Sequence, residues 1–275
     1  MGSWWITQIL GVLLSMPTEN HLSADLRTKR RVERLLRRKR NAESIRRHLE
    51  AGGEYISKRE RIRLSKEKLR QNLSNGVKFC IDCSFEDDMS AKEHSKFAQQ
   101  LCRIYGANKK AVIPFSLHLV NFDPVGPLAM CCRKKCSGFD AYQIGFHVGS
   151  PTDVFKSQQI FYLSPDASDP LLDVDRCSVY VVGGLVDENI AKGKSLDTAS
   201  KLGIPTVRLP IQEFAPTDWS PQNSTKSSAL PLNIVVEILL AFLQHRDWRT
   251  ALDQCLPRRF RTRNDLGRQT SVQLA

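Results

Sequence analysis

The stretch Val179-Tyr180-Val181-Val182-Gly183-Gly184-Leu185-Val186-Asp187 runs as an apolar strand, breaks on two glycines and sets a carboxylate just beyond them. Adjacent glycines let a backbone approach a ligand or another chain segment closely. Asp187 then has two readings: it caps the following segment, or it serves as an ionised acceptor at the edge of a ligand. The glycine spacing is not G-x-G-x-x-G, and no Lys-Ser or Lys-Thr pair follows as in a P-loop, G-x-x-x-x-G-K-S/T. Ordinary dinucleotide binding and NTP hydrolysis are therefore disfavoured. No Ser-His-Asp order or carboxylate pair stands out, the six histidines are scattered without partners, and His118 reads as a core residue on its strand.

Cys80-x-x-Cys83 and Cys131-Cys132-x-x-x-Cys136 invite a four-cysteine zinc reading. Residues 77–85 read as a strand, however, and positions three apart on a strand face opposite sides. Eight cysteines in 275 residues are also too sparse for a disulfide scaffold. Reduced structural thiols and no metal are expected.

The elements that must position Asp187 alternate in type. Strands are expected at 77–83, 113–120, 159–163, 178–182 and 204–209. Ser90-Ala91-Lys92-Glu93 has capping-box spacing for a helix to about Tyr105. Ser164-Pro165-Asp166-Ala167 reads as a helix start with proline in its first turn. Further helices are expected over 195–202, ended by Gly203, from about 230 to 245, and at 247–256. Residues 121–157 read as loop-rich. Alternating strands and helices predict an α/β domain with a largely parallel sheet, whose ligands sit at the carboxyl ends of the strands. Three loops qualify: Ser164–Asp166, Gly183–Asp187 and Leu209–Phe214. They converge on one edge only if their strands are neighbours.

The net charge of +12 is unevenly distributed. Residues 1–75 hold 18 Lys and Arg against 8 Asp and Glu, residues 76–255 hold 18 against 20, and residues 256–275 hold five Arg against one Asp. Basicity is thus a property of two extensions flanking a nearly neutral globule, which points to a polyanionic partner. Residues 27–73 predict two basic helices hinged at Gly52-Gly53, with few acids to offset a tract such as Arg37-Arg38-Lys39-Arg40. Tyr55 is the one aromatic there, so backbone contact with a folded nucleic acid fits better than base stacking. The apolar start, Trp4 to Leu14, is shorter than the ~20 residues of a membrane span and lacks a preceding Lys or Arg. A poorly ordered start is expected for residues 1–26, with secretory and mitochondrial-targeting readings as alternatives and no membrane association. The expected organisation is 1–26 apolar segment, 27–75 basic helical arm, 76–256 α/β domain and 257–275 basic tail.

Five motifs in order, Cys80-Ile-Asp-Cys83, Tyr105-Gly-Ala-Asn-Lys-Lys110, Val179 to Asp187, Leu209-Pro-Ile-Gln212 and Arg246-Asp-Trp-Arg-Thr-Ala-Leu252, resemble the tRNA purine-9 N1-methyltransferases of the SPOUT class. The resemblance covers about residues 77–256. It implies an α/β SPOUT domain with a C-terminal trefoil knot, S-adenosylmethionine as cofactor, tRNA as partner and catalysis by a monomer in nucleus or cytoplasm, with the mitochondrion as alternative. Carried over by position, it implies a cofactor site at Leu163, Gly183, Asp187, Glu188, Asn189, Ile190, Ala191, Ala199, Leu209, Pro210 and Ile211, with Asp187 as general base. RNA contacts are expected from Arg30, Arg31, Arg34, Arg37, Arg38, Lys39, Arg40, Arg46 and Arg47 on the arm, from Lys109 and Lys110, and from Arg258 and Arg259 with Arg261 and Arg263. The activity implied is methylation of N1 of the purine, foremost guanine, at tRNA position 9. A non-catalytic tRNA-binding scaffold and a SPOUT methyltransferase acting on ribosomal RNA are the alternatives. Residues 121–157 follow the family poorly.

Overall fold

In the first strand, β1 (Lys78–Asp82), Phe79 and Ile81 turn to one face and Cys80 and Asp82 to the other, and all four are fully buried. A strand buried on both faces belongs inside a parallel sheet covered by helices, and that is its setting. The computed structural model describes residues 19–186, 193–216 and 230–257, with 19–25 described for backbone only. The remaining strands are β2 (Ser116–Val120), β3 (Gly145–Phe146), β4 (Ile160–Leu163), β5 (Val179–Gly183) and β6 (Thr206–Val207). They form one sheet in the order β3-β2-β1-β5-β4-β6, and every pairing is parallel.

Helices α1 (Glu19–Glu50) and α2 (Lys58–Asn75) precede the sheet, with Gly52 at φ +82° between them. The chain divides into two units, 1–61 and 62–275. In the first unit, the described side chains of α1 are almost all exposed. The second unit begins inside α2. There Leu69 is buried, Lys68 and Asn72 donate to the carbonyls of Ala111 and Pro114, and the Ser116 hydroxyl donates to that of Leu73. These bonds seat the C-terminal half of α2 against the start of β2.

Two core clusters lie on the two faces of the sheet. The larger gathers Phe79, Ile81, Leu117, Leu119, Tyr180 and Val182 with α3 (Ala91–Lys110), α4 (Pro127–Lys135), α8 (Leu232–His245) and α9 (Trp248–Cys255). The smaller joins Cys80, Val120, Ile160, Tyr162, Val179 and Val181 to Phe155 and to Ala199 of α6 (Lys194–Lys201). Two single-turn helices, α5 (Pro151–Val154) and α7 (Ile211–Phe214), complete the described set.

The capping box at Ser90 and Glu93 is present. Its helix runs to Lys110 rather than Tyr105, because Asn108 exchanges two hydrogen bonds with the backbone of Phe115 and so ties the last turn to β2's approach. Residues 121–157 are not simply loop: α4 carries Leu128, Ala129 and Cys132 into the core. Ser164–Ala167 forms a turn rather than a helix start, since the next residues extend to pair Pro170 with Arg208. The expected strand at 204–209 shortens to Thr206–Val207.

Cys80 and Cys83 fall in opposite core clusters, incompatible with a shared metal. The expectation of reduced thiols fails at one place: Cys102 on α3 is disulfide-bonded to Cys136 after α4, with Cα atoms 5.7 Å apart. Packing of α4 on α3 brings them together, which spacing alone did not reveal. Among the described residues no group of His, Cys, Asp and Glu is arranged to hold a metal, and no helix is long and apolar enough to cross a membrane.

Candidate active site

The strands β5, β4 and β6 are adjacent and parallel, so the loops leaving their carboxyl ends share one edge of the sheet. The condition set by the sequence is met. Gly193, at the start of α6, donates its N–H to Asp166 Oδ2 at 2.9 Å, and Ser195 Oγ lies 2.9 Å from Ser164 Oγ. The loop after β4 is therefore tied to the N-terminus of α6. Lys194 pairs with Asp88 at 3.2 Å, and Arg208 forms a two-pronged pair with Glu213, at 2.9 and 2.6 Å. This pair holds α7 against the end of β6.

Leu163 is buried at the end of β4, and Ala199 is fully buried under the smaller face. Leu209 and Ile211 are half-buried against the larger cluster, and Pro210 is buried between them. Gly183 ends β5, where an added Cβ would meet the Phe85 ring at 3.0 Å and the Tyr162 hydroxyl at 3.4 Å. At Gly184 the Cβ would lie 2.7 Å from the backbone oxygen of Asp82. Of the two uses for paired glycines, close approach to another chain segment is thus realised at Gly184, whose N–H donates to that oxygen at 2.7 Å. Asp187, Glu188, Asn189, Ile190 and Ala191 lie outside the described residues, as do Arg258, Arg259, Arg261 and Arg263. The trefoil knot depends on how 187–192 and 217–229 thread, and these too lie outside them.

Sequence reasoning missed the most buried polar group at this edge. Asp82 ends β1 opposite Gly183 and is fully buried. Its carboxyl accepts from the Ser84 N–H at 3.0 Å, Asn121 Nδ2 at 2.8 Å and the Tyr162 hydroxyl at 3.0 Å. Burial, then the Asp82 charge, pushes the Tyr162 phenol far above its ordinary range, so it stays a donor. The signal was available: an acid inside Phe79-Cys-Ile-Asp-Cys83 has no place in a doubly buried strand unless it is satisfied.

The histidines are not all without partners. His147 Nε2 lies 3.0 Å from His118 Nδ1, and His118 Nε2 lies 2.9 Å from Ser116 Oγ. Since Ser116 donates to Leu73 O, the proton order that satisfies every atom runs from His147 to His118 to Ser116. Gly145 makes room for it: a Cβ there would sit 2.1 Å from His118 Nδ1. No sequence spacing foretells a pair joined through β2–β3 register.

Two motifs prove structural. Arg246, at φ +53°, ends α8 and reaches Asp173 and the carbonyl of Val174; Asp247 caps α9, and Trp248 stacks on Phe242 and donates to Leu172 O. Tyr105 stacks on Tyr142. Lys109 and Lys110 end α3, where they border an open cavity of about 580 Å³ with Leu64, Ser65, Lys68 and Gly106. It lies toward the amino-terminal edge of the sheet, as does a second cavity of about 210 Å³ by Ile160 and Pro205. The arm arginines expected to touch RNA are exposed on α1.

A fully parallel sheet covered on both faces, with three loops gathered at neighbouring strand ends, defines an α/β domain whose candidate site lies at those carboxyl ends. The chain belongs to the tRNA (guanine(9)-N(1))-methyltransferase TRM10/TRM10A family, whose model matches residues 18–261. A tRNA methyltransferase 10 homolog B from Rattus norvegicus is 40% identical over 196 residues, 71% of this chain and 62% of the relative, so the chain spans less than two thirds of that protein. The homolog B from Danio rerio is 36% identical, covering 85% and 74%. A tRNA (guanine(9)-N1)-methyltransferase from Schizosaccharomyces pombe is 31% identical, covering 85% and 73%. Among solved structures, spTrm10 in complex with SAH matches with TM-score 0.58 at 30% identity, covering 66% of this chain and 95% of that one.

Proposed function

We propose that the chain is an S-adenosylmethionine-dependent methyltransferase that modifies N1 of the purine, guanine foremost, at position 9 of tRNA. The observation that carries this reading is the convergence of the β4, β5 and β6 loops on one edge, in a chain whose family model and S. pombe relative bear that activity in their names. The SAH bound to spTrm10 supports the cofactor. The residues present suit it: Leu163, Leu209 and Ile211 offer apolar surface for a purine, and Arg208 and Lys194 are each paired with an acid, which lessens their opposition to a sulfonium. When bound, the cofactor supplies an electrophilic methyl group.

The chain's own task is positioning and proton removal. Guanine N1 carries a proton that must be lost for the nitrogen to keep its lone pair. Asp187 stands in the sequence three residues past Gly184, where a carboxylate takes that proton or orients the base. Adenine N1 already has a lone pair, so Asp187 matters less for it. The basic arm holds the tRNA while the stacked base is exposed. The enzyme acts as a monomer in nucleus or cytoplasm.

The test is incubation of the protein with S-adenosylmethionine and unmodified tRNA, followed by mass mapping of the nucleosides. N1-methylguanosine at position 9 is expected. tRNA binding without methylation supports the scaffold reading, and methyl incorporation into ribosomal RNA alone supports the third. Asp187→Asn should bind tRNA normally but methylate guanine roughly a hundredfold more slowly in single turnover. A wild-type rate removes Asp187 from the mechanism.

A further inference from the structure

Four neighbouring strands, or the residues just past them, meet at one residue, Asp82. Asp82 terminates β1; Asn121 follows β2; Tyr162 lies in β4; and Gly184 follows β5. Asn121 and Ser84 donate to one carboxyl oxygen of Asp82 and Tyr162 to the other, while the backbone oxygen of Asp82 accepts from Gly184.

Two features say that this arrangement is held at a cost. Asn121 adopts φ +50°, a left-handed conformation that disfavours side chains, though Asn tolerates it better than most. From there it reaches Asp82 across the sheet edge. Asp82 itself is fully buried, which is unfavourable for a carboxyl unless donors surround it. Burial of a satisfied polar network adds uniqueness of geometry more than net stability. What it makes unique here is the direction of the Asp82 carbonyl, and hence the place where the β5 backbone turns. The Gly183-Gly184 turn has no slack. One added carbon at either residue would press on Phe85, on Phe97 or on Asp82 itself.

We propose that Asp82, clamped by Tyr162 and Asn121, is the positioning residue that fixes the Gly183-Gly184 turn and so sets the geometry of methyl transfer. This rests on the methyltransferase reading. Asp82 is buried beneath the sheet edge and acts through the turn rather than on the base, so its influence falls on the rate of transfer and not on capture of tRNA.

Two substitutions isolate the clamp. Tyr162→Phe removes one hydroxyl and keeps the buried ring. Asn121→Gly removes the amide and accepts φ +50° without strain. With the full chain, a tRNA transcript and saturating S-adenosylmethionine, each should lower the single-turnover rate roughly tenfold. The tRNA Kd should stay within about twofold, and the double variant should lose less than the product of the two, because both act through one carboxyl. Thermal unfolding of each variant locates an assay temperature at which all are folded. Wild-type rates in either single variant overturn the proposal, as does a loss that disappears at that temperature, which would mark a merely structural role. Purely multiplicative losses also overturn it. No methylation by the unaltered protein would sink the methyltransferase reading itself, whereas an active wild type with unaffected variants sinks only the positioning role.

Discussion

Gly184 is crowded by the β1 backbone and by buried side chains of the core. A Cβ would face the Asp82 backbone oxygen at 2.7 Å and the ring of fully buried Phe97 at 3.0 Å. Gly184→Ala should therefore destabilise by about 1–3 kcal/mol, read as a lower urea midpoint at constant m. An unchanged midpoint would mean that the turn can shift. At the same scale, the His118–His147 pair ties stability to pH. Burial, and then the neighbouring His147 and Lys78, lowers His118 from its ordinary 6.5 to about 4; burial also lowers His147. Both folded values lie below the unfolded ones, so the unfolded chain takes up protons first as pH falls. The pair's contribution is whole above pH 6.5 and is lost progressively toward pH 4, by at most roughly 3 kcal/mol for His118. Unfolding free energies measured across this window should fall less steeply for His118→Gln than for wild type. Equal slopes would place the dependence on other groups.

At the scale of elements, α2 belongs to two parts of the chain. Its basic first turn, Lys58 to Arg61, precedes the division at 61–62, while Leu69, Lys68, Asn72 and Leu73 pack and bond to the start of β2. A boundary at 75–76 follows composition, but packing places the division earlier. Truncation through residue 61 should leave the thermal midpoint of the sheet unit nearly unchanged, whereas truncation through 74 should lower it by roughly 5 °C or more, since a buried leucine and three bonds are lost. Equal midpoints for the two truncations would show that α2 adds nothing. The capping box on α3 was plain in Ser90-x-x-Glu93, since its chemistry is local. The helix α4 was not, because its 9 residues are too few for a helical period to stand out, and only the groove beside α3 gives its apolar side chains a partner.

For the whole molecule, charge and chemistry are separated along the chain. The cationic excess sits in the two extensions, most of it in the arm whose α1 arginines are exposed, while residues 76–255 are close to neutral and carry the candidate site. Removing residues 1–61 should weaken tRNA binding, flatten the dependence of log K on log salt and spare binding of S-adenosylmethionine. A truncated protein with an unchanged salt slope would move RNA recognition off the arm.

The sequence by itself determined the α/β class, most strands, the capping box, the two basic helices and the glycine break before Asp187, because each is written in local periodicity or in the φ preferences of a few residues. Its resemblance to a methyltransferase family also pointed to the right kinship. Only the tertiary structure decided that β5, β4 and β6 are neighbours, that Asp82 gathers donors from Asn121 and Tyr162, and that His118 meets His147 or Cys102 meets Cys136. Those pairings join residues far apart in the chain. Strand order and helix packing bring them together, and neither is encoded in any one stretch.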